Sequence, residues 1–215
     1  MSELLAVTGV LAALAVGVVS PGPSFILVAR IAVASSRALG LAAALGMGVG
    51  GALFAAMALL GLQAVFHAVP VLYLGLKVIG GAYLIYLGAT IFRHARTPLS
   101  MAEAGGGGSG ASRSFWLGLS TQVSNPKTAI VYASVFAAFL PQQFSLGFAA
   151  LLLLCVFALE TGWYALVALV LSARPLQCAY LGWKTWLDRA AGIVMGALGA
   201  RLVLSAWRAP QATAA

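Results

Sequence analysis

Long apolar runs, separated by short polar segments, dominate the chain. Six of them reach or exceed the roughly 20 residues that an α-helix needs to cross the hydrocarbon core of a bilayer. The runs cover residues 4–35, 40–65, 71–92, 115–140, 146–171 and 187–207. The pattern therefore predicts an all-α integral membrane protein with six transmembrane helices and with lipid as its main solvent.

Proline interrupts the first and the fourth run near their middle. The first break reads Ser-Pro-Gly-Pro over residues 20–23, and the second reads Asn125-Pro126-Lys127. Proline removes a backbone donor and clashes with the preceding helical turn. In lipid, the freed backbone groups need protein or a water-filled cavity around them. We therefore expect two broken helices at mid-depth, where transporters bind their substrates; simple kinks are the alternative interpretation.

The two halves of the chain resemble each other. Each half holds three runs with a proline break in the first, and the segments 19–24 and 123–128 align without a gap. Because the first half has an odd number of spans, the second half enters the membrane in the opposite orientation. This is the arrangement of the inverted repeats in many secondary transporters. We expect a first three-helix repeat over residues 1–96, a flexible Gly-rich linker over 97–114 and a second repeat over 115–215.

Composition narrows the class of the protein. The chain has 215 residues, of which 62% are hydrophobic and 7% are charged, whereas soluble domains carry about a quarter charged residues. The net charge of +8 comes mostly from short loops, so it indicates membrane topology and no nucleic-acid partner. The N-terminal run lacks a basic flank and a convincing cleavage site, and we expect it to be a retained helix rather than a signal peptide.

Positive charge also predicts the orientation. Most basic residues flank the loops at residues 30–40, 93–114 and 172–186, which share one side of a six-span arrangement. The other side has an uncharged turn at residues 141–143. The positive-inside rule then makes the three basic loops cytoplasmic and places both termini outside a bacterial plasma (inner) membrane.

Glu160 is the one acid that the pattern places deep inside a run, near the middle of the fifth helix. A charge at that depth costs at least about 2.5–3.5 kcal/mol, so the carboxylate should be paired, neutral or in contact with water. It is a candidate proton carrier, or a ligand for the ammonium group of a substrate. A structural ion pair or hydrogen bond between helices is the alternative.

Lys127 is similarly central in the fourth run. Three interpretations stay open for its ammonium group: a pair with Glu160, a contact with a substrate carboxylate, or a position at the membrane surface reached by snorkelling. Polar residues around the second break are candidates to line a cavity, although interhelical hydrogen bonds would explain them equally well. The predicted substrate path consists of Pro21, Gly22, Pro23, Gln122, Asn125, Pro126, Lys127 and Glu160.

Glycines spaced four apart occur in two of the predicted helices. They are Gly46 and Gly50 in the second helix, and Gly192 and Gly196 in the sixth. Small residues at this spacing let helix backbones approach each other closely in membranes. We therefore predict close helix packing at these glycines rather than contact with a ligand.

Several motifs occur in a characteristic order over nearly the whole chain. They are the Pro-Gly-Pro of the first break, the glycine-rich segment Gly46–Gly51, Gly81-Ala82-Tyr83-Leu84, and Phe115-Trp116-Leu117-Gly118 ahead of the second break. Together they resemble the lysine/threonine exporter family (LysE/RhtB type). The resemblance implies a secondary transporter that exports amino acids or close analogues from the bacterial cytoplasm, by antiport with protons. It implies the lipid bilayer and an amino acid as partners, and no cofactor.

Other functions have less support in the sequence. Efflux of a metal ion or another small solute is the alternative within transport, but acidic, His and Cys residues are scarce in the runs. A membrane enzyme or redox conduit would need a reactive Cys pair or a His/Asp cluster, and no HExxH, P-loop or CxxC motif is present. We expect a transporter rather than an enzyme, without a metal site, and a homo-oligomer is compatible with the sequence.

Overall fold

The fold is a bundle of α-helices. The computed structural model describes residues 3–68, 70–97, 110–141 and 143–208, and most of the predicted linker lies outside them. Within the described residues the elements are α1 (Glu3–Val19), α2 (Pro23–Ala34), α3 (Arg37–Ala68), α4 (Pro70–His94), α5 (Ala111–Val123), α6 (Pro126–Phe139), α7 (Leu146–Leu171) and α8 (Arg174–Arg208). The prediction of an all-α protein is confirmed.

Several helices have the length and apolarity of membrane spans. Among the described residues, Arg37–Gly61, Leu146–Leu171 and Gly182–Trp207 each meet both requirements alone. Helices α1 and α2 meet them as a pair, which bends by 59° at the first break. Helix α6 is a shorter apolar helix. These helices are those of a membrane protein.

Each proline break begins a new helix, as predicted. Pro23 is in the first turn of α2 after Gly22, and Pro126 is in the first turn of α6 after Asn125. Proline suits this position because its φ is already helical and its missing N–H would have no partner there. The Asn125 side chain caps α6 by accepting a 3.0 Å hydrogen bond from the amide of Lys127.

The gapless alignment of the two breaks is wrong by one residue. It pairs Asn125 with Pro21, whereas the structure makes Gly22 the residue equivalent to Asn125 because both precede the first helical residue. Three residues separate α1 from α2, from Ser20 to Gly22, but only Ser124 and Asn125 separate α5 from α6. The first break is therefore longer.

The last helix begins earlier than predicted. Helix α8 starts at Arg174 rather than at residue 187, so the predicted loop at 172–186 is reduced to a short turn. Pro175 falls in the first helical turn, where a missing amide breaks no helical hydrogen bond. Lys184 and Asp188 form an i,i+4 ion pair on the helix. This pairing accommodates two charged residues in a segment that polarity alone assigned to a loop.

Glycines allow α4 and α8 to cross at close range. A Cβ atom on Gly88 would lie 2.5 Å from the carbonyl oxygen of Gly192, and one on Gly81 would lie 2.8 Å from that of Gly199. The pairing runs in opposite directions along the two helices, so they are antiparallel. The prediction of close packing is confirmed for Gly192, where an added Cβ atom would lie 2.6 Å from the carbonyl oxygen of Gly88. An added Cβ atom at Gly196 would meet nothing within 4 Å among the described residues, although the backbone of Gly196 lies close to Gly88.

The glycines of α3 allow a second close approach. A Cβ atom on Gly46 would collide with the carbonyl oxygen of Phe115 in α5. One on Gly50 would lie 2.8 Å from the side chain of Gln122. The packing role predicted for Gly46 and Gly50 is confirmed. It places α5, with Gln122 near its C-terminal end, in close contact with α3.

Polar contacts bring the three basic segments to one end of the bundle. The Arg37 Nε, at the start of α3, donates to the Ser172 hydroxyl after α7 at 2.8 Å. The Lys184 Nζ donates to the carbonyl oxygen of Ala95, just after α4, at 3.1 Å. We call the end that holds Arg37, Ala95 and Ser172 the basic end. The loop pattern predicts that these segments share one side.

The opposite end holds the N-terminal residues and the turn between α6 and α7. The Glu3 carboxylate accepts a 2.8 Å hydrogen bond from the amide of Ser145. The guanidinium of Arg201, near the end of α8, lies over the Phe139 ring at 5.7 Å from its centroid. Helices α1, α6, α7 and α8 therefore all have one terminus at this end.

Candidate functional site

Both breaks open into one cavity inside the bundle. Residues of helices α1, α2, α5, α6 and α7 line this small cavity, which is partly open to the outside. The lining residues are Leu14, Gly17, Val18, Ser20, Gly22, Ser24, Gln122, Asn125, Lys127, Thr128, Val131, Tyr132, Glu160 and Tyr164. The cavity therefore combines an apolar side with polar groups that come mostly from the two breaks.

Glu160 forms part of the cavity wall and is only 1% exposed. The Tyr132 hydroxyl donates to one carboxylate oxygen at 2.8 Å, and the Gln122 Nε2 donates to the other at 3.0 Å. Space for the side chain comes from Gly51 of α3, where a Cβ atom would lie 2.8 Å from the Glu160 Cγ. Two hydrogen bonds thus offset part of the cost of burying this acid.

A chain of buried side chains connects the two breaks to Glu160. The Asn125 Nδ2 donates to the Ser24 hydroxyl at 3.0 Å, and that hydroxyl donates to the Gln122 Oε1 at 2.7 Å. The amide nitrogen of Gln122 then donates to Glu160. Because each group polarises the next, such a chain holds α2, α5, α6 and α7 in one arrangement.

Lys127 binds the C-terminal end of α1. Its Nζ donates to the carbonyl oxygen of Ser20 at 2.8 Å. A cation is unfavourable in the first turn of its own helix, α6, but favourable at the end of α1, where free carbonyl groups carry partial negative charge. No ion pair joins Lys127 to Glu160 in the described part of the chain. The half-buried side chain lines the cavity.

The cavity has a positive side around Lys127. A Cβ atom on Gly22 would lie 3.6 Å from the Lys127 Nζ, so the start of α2 is next to the ammonium group. Gly22 offers α2 no side-chain cap. The Ser20 hydroxyl is buried beside them, without a hydrogen-bond partner among the described residues. An anionic group would meet a helix N-terminus, an ammonium and a hydroxyl here.

The predicted substrate path divides into two groups. Gly22, Gln122, Asn125, Lys127 and Glu160 come together around the cavity. The three prolines of that path, Pro21, Pro23 and Pro126, are not among the lining residues. Their effect is on the backbone, which they break so that helix ends face the cavity. The participation of all eight residues in transport stays a prediction.

Sequence reasoning missed several residues of this site. Ser20, Ser24, Tyr132 and Tyr164 all line the cavity. Tyr164 had a usable signal, because it follows Glu160 by one helical turn and so shares its face. Tyr132 had a weaker signal, as a polar tip within an apolar run. The two serines gave no signal beyond being next to the first break.

Glu160 is the one acid that the sequence places deep inside an apolar run, but the structure buries a second acid in a helix. Asp188 is also buried, with 5% of its surface exposed. The last apolar run starts at residue 187, so the sequence pattern places Asp188 at a helix boundary. With α8 beginning at Arg174, Asp188 lies well inside the helix.

Comparisons with known proteins connect this architecture to a transporter family. Residues 15–206 match the family model described as LysE type translocator. The chain is 32% identical over 201 residues to a threonine efflux protein of Salmonella typhi, covering 88% of this chain and 93% of that protein. It is 30% identical over 200 residues to a threonine efflux protein of Escherichia coli (strain K12), with the same coverage of 88% and 93%. No solved structure matches the chain.

Proposed function

The chain belongs to the LysE type translocator family, whose members are transporters and not enzymes, and from that premise we propose that it exports a zwitterionic amino acid from the bacterial cytoplasm. The observation that carries the proposal is the cavity at the two breaks, which has a cationic side at Lys127 and an acidic side at Glu160. An amino acid carries one charge of each sign. The relatives named for threonine efflux support threonine or a close analogue as the substrate.

The substrate carboxylate binds on the positive side of the cavity. Lys127 provides a charged donor, the N-terminus of α2 provides backbone partial charge, and Ser20 provides a hydroxyl without a partner among the described residues. Broken helices whose N-terminal ends face an anionic substrate group are a recurring arrangement in secondary transporters. The carboxylate then satisfies donors that the structure leaves unused.

The substrate ammonium binds at Glu160. Its carboxylate already accepts from Tyr132 and Gln122, and each oxygen has a further lone pair for an ammonium donor. The same carboxylate carries the coupling proton. Proton and ammonium then compete for one acid, so that binding of one releases the other, which is the requirement for antiport.

The architecture that we propose is a six-span inverted repeat. Equivalent first-turn prolines at Pro23 and Pro126 support it, because they place helix starts at matching points of the two halves. The antiparallel crossing of α4 and α8, the last helix of each half, also supports it. We propose that the basic end faces the cytoplasm and that both termini are outside the inner membrane.

Labelling of single cysteines tests the orientation. In a variant with Cys155 and Cys178 replaced by Ser, we expect cysteines at Ser36 and Ala173 to react with a membrane-impermeant maleimide only after the cells are opened. A cysteine at Gln143 is expected to react in intact cells. The reason is that Ser36 and Ala173 lie at the basic end, next to Arg37 and Ser172. Equal reactivity of all three in intact cells would contradict the orientation.

A flux screen tests the function itself. Cells that overexpress the chain are loaded with dipeptides, which peptidases hydrolyse inside, and the released amino acids are measured. We expect threonine or a small neutral analogue to appear in the medium faster than with an empty vector. The Glu3→Gln variant is the control, and it should release amino acids as fast as the wild type. Glu3 lies at the end of the bundle opposite the basic end, and among the described residues its side chain bonds only to Ser145. Release no faster than in the empty-vector cells, for every amino acid, would overturn the proposal.

A further inference from the structure

Asp188 is a buried acid that the transport cycle proposed above does not use. One of its carboxylate oxygens accepts from the Lys184 Nζ at 2.8 Å. The other oxygen, Oδ1, is buried and has no partner among the described residues. Leaving a charged acceptor unsatisfied is costly. An ion pair with Lys184 alone gives no reason to bury the second oxygen without a hydrogen bond. The unpartnered oxygen indicates a second partner in another state of the transporter.

Packing around Gly17 of α1 locates Asp188 relative to Lys127. A Cβ atom on Gly17 would lie 2.9 Å from the Met195 Cε and 3.2 Å from the Val131 Cγ1. Lys127 precedes Val131 by one helical turn and Asp188 precedes Met195 by two, so each shares a helix face with a residue at Gly17. A helix rises ~1.5 Å per residue, so Lys127 lies about 6 Å from Val131 along α6, and Asp188 lies about 10 Å from Met195 along α8. Both offsets run toward the basic end.

Lys127 has donors to spare for such a partner. Its ammonium group carries three donor hydrogens, and the structure shows one hydrogen bond for it, to the Ser20 carbonyl.

We propose that Asp188 is a positioning residue that competes with the substrate carboxylate for Lys127. In a second substrate-free state, distinct from the one in which Lys127 binds the Ser20 carbonyl, the free Oδ1 of Asp188 draws the Lys127 ammonium toward the basic end. Substrate binding moves Lys127 to the carboxylate, and the return of Lys127 to Asp188 displaces the carboxylate and speeds its release. Lys184 moderates this competition, because it neutralises the other oxygen of Asp188. The inference rests on the proposed function.

The proposal gives two variants opposite effects on substrate binding. Asp188→Asn removes the competing charge, so purified protein in lipid nanodiscs should bind threonine about tenfold more tightly and export it more slowly. Lys184→Met leaves Asp188 without its neutralising partner, so threonine should bind about tenfold more weakly. A purely structural ion pair would move both variants in the same direction, since each variant breaks the same bridge.

The test is a calorimetric titration of wild type and variants with L-threonine, together with efflux from proteoliposomes. Opposite shifts support the proposal, whereas equal affinities or shifts in the same direction overturn it. Should Asp188→Asn not fold, the double variant Lys184→Gln with Asp188→Asn keeps a neutral hydrogen-bonded pair and is expected to show the same tighter binding. Glu3→Gln is the matched control and should bind like wild type. A wild type that binds no amino acid would instead overturn the proposed function.

Discussion

Replacing Glu160 with Gln is expected to abolish export driven by a proton gradient while leaving the protein folded and inserted. Gln has almost the same shape, and its amide can accept from Gln122 and donate to the Tyr132 oxygen in place of the bonds seen for the acid. It cannot take up or release a proton, however. The variant should therefore keep the hydrogen-bond chain between the breaks and lose the coupling.

Two transport assays separate coupling from binding in this variant. Proteoliposomes are first given a pH gradient, which should accelerate threonine efflux by the wild type and leave Glu160→Gln unaffected. Exchange of labelled for unlabelled threonine is then measured at equal pH on both sides. It should remain measurable with a weaker affinity, because the amide oxygen still accepts from the substrate ammonium.

The control for this experiment is Glu3→Gln, the same substitution at an exposed acid outside the cavity. It should respond to the gradient like the wild type. A Glu160→Gln variant that still exports threonine in response to the gradient would refute the assignment of the coupling proton to Glu160. Poor folding of Glu160→Gln, repaired by adding Lys127→Met, would show instead that Glu160 stabilises the fold through Lys127.

Replacing Lys127 with Met should weaken threonine binding by about 100-fold, the loss expected for a charge-assisted hydrogen bond. The fold should tolerate the change, because the hydrogen-bond partner of the ammonium among the described residues is the neutral carbonyl of Ser20. Arg201→Met, at the opposite end of the bundle, is the control. Its affinity for threonine should equal that of the wild type.

A substrate analogue makes the Lys127 prediction specific. Threoninol lacks the carboxylate of threonine but keeps its ammonium and its side chain. The wild type should bind threonine much more tightly than threoninol. Lys127→Met should bind both about equally, because the Lys127 ammonium and the substrate carboxylate are the two partners of one interaction, and removing either one abolishes it. If the variant still prefers threonine by the wild-type ratio, the carboxylate binds elsewhere in the cavity.

The sequence by itself determined the class of the protein and the places where its helices break. Apolar length is a local property of the chain, and lipid as a solvent requires each apolar run to satisfy its own backbone as a helix. Proline acts locally as well, which is why both breaks appear where Pro23 and Pro126 predict them. Glycine spacing likewise identified the surfaces of close packing. Local rules misjudged the start of α8, because a helix that buries an ion pair looks polar.

Only the tertiary structure decided which groups meet in the cavity. Ser24 and Gln122 are 98 positions apart in the chain, and Lys127 and Ser20 are 107 apart, so neither pair has a signature in local sequence. The depth of Lys127 and Glu160 in their runs made a pair between them plausible, yet the end of α1 provides a closer acceptor for the lysine. Burial of a charged group requires a nearby partner, but which partner lies nearby depends on how the helices pack.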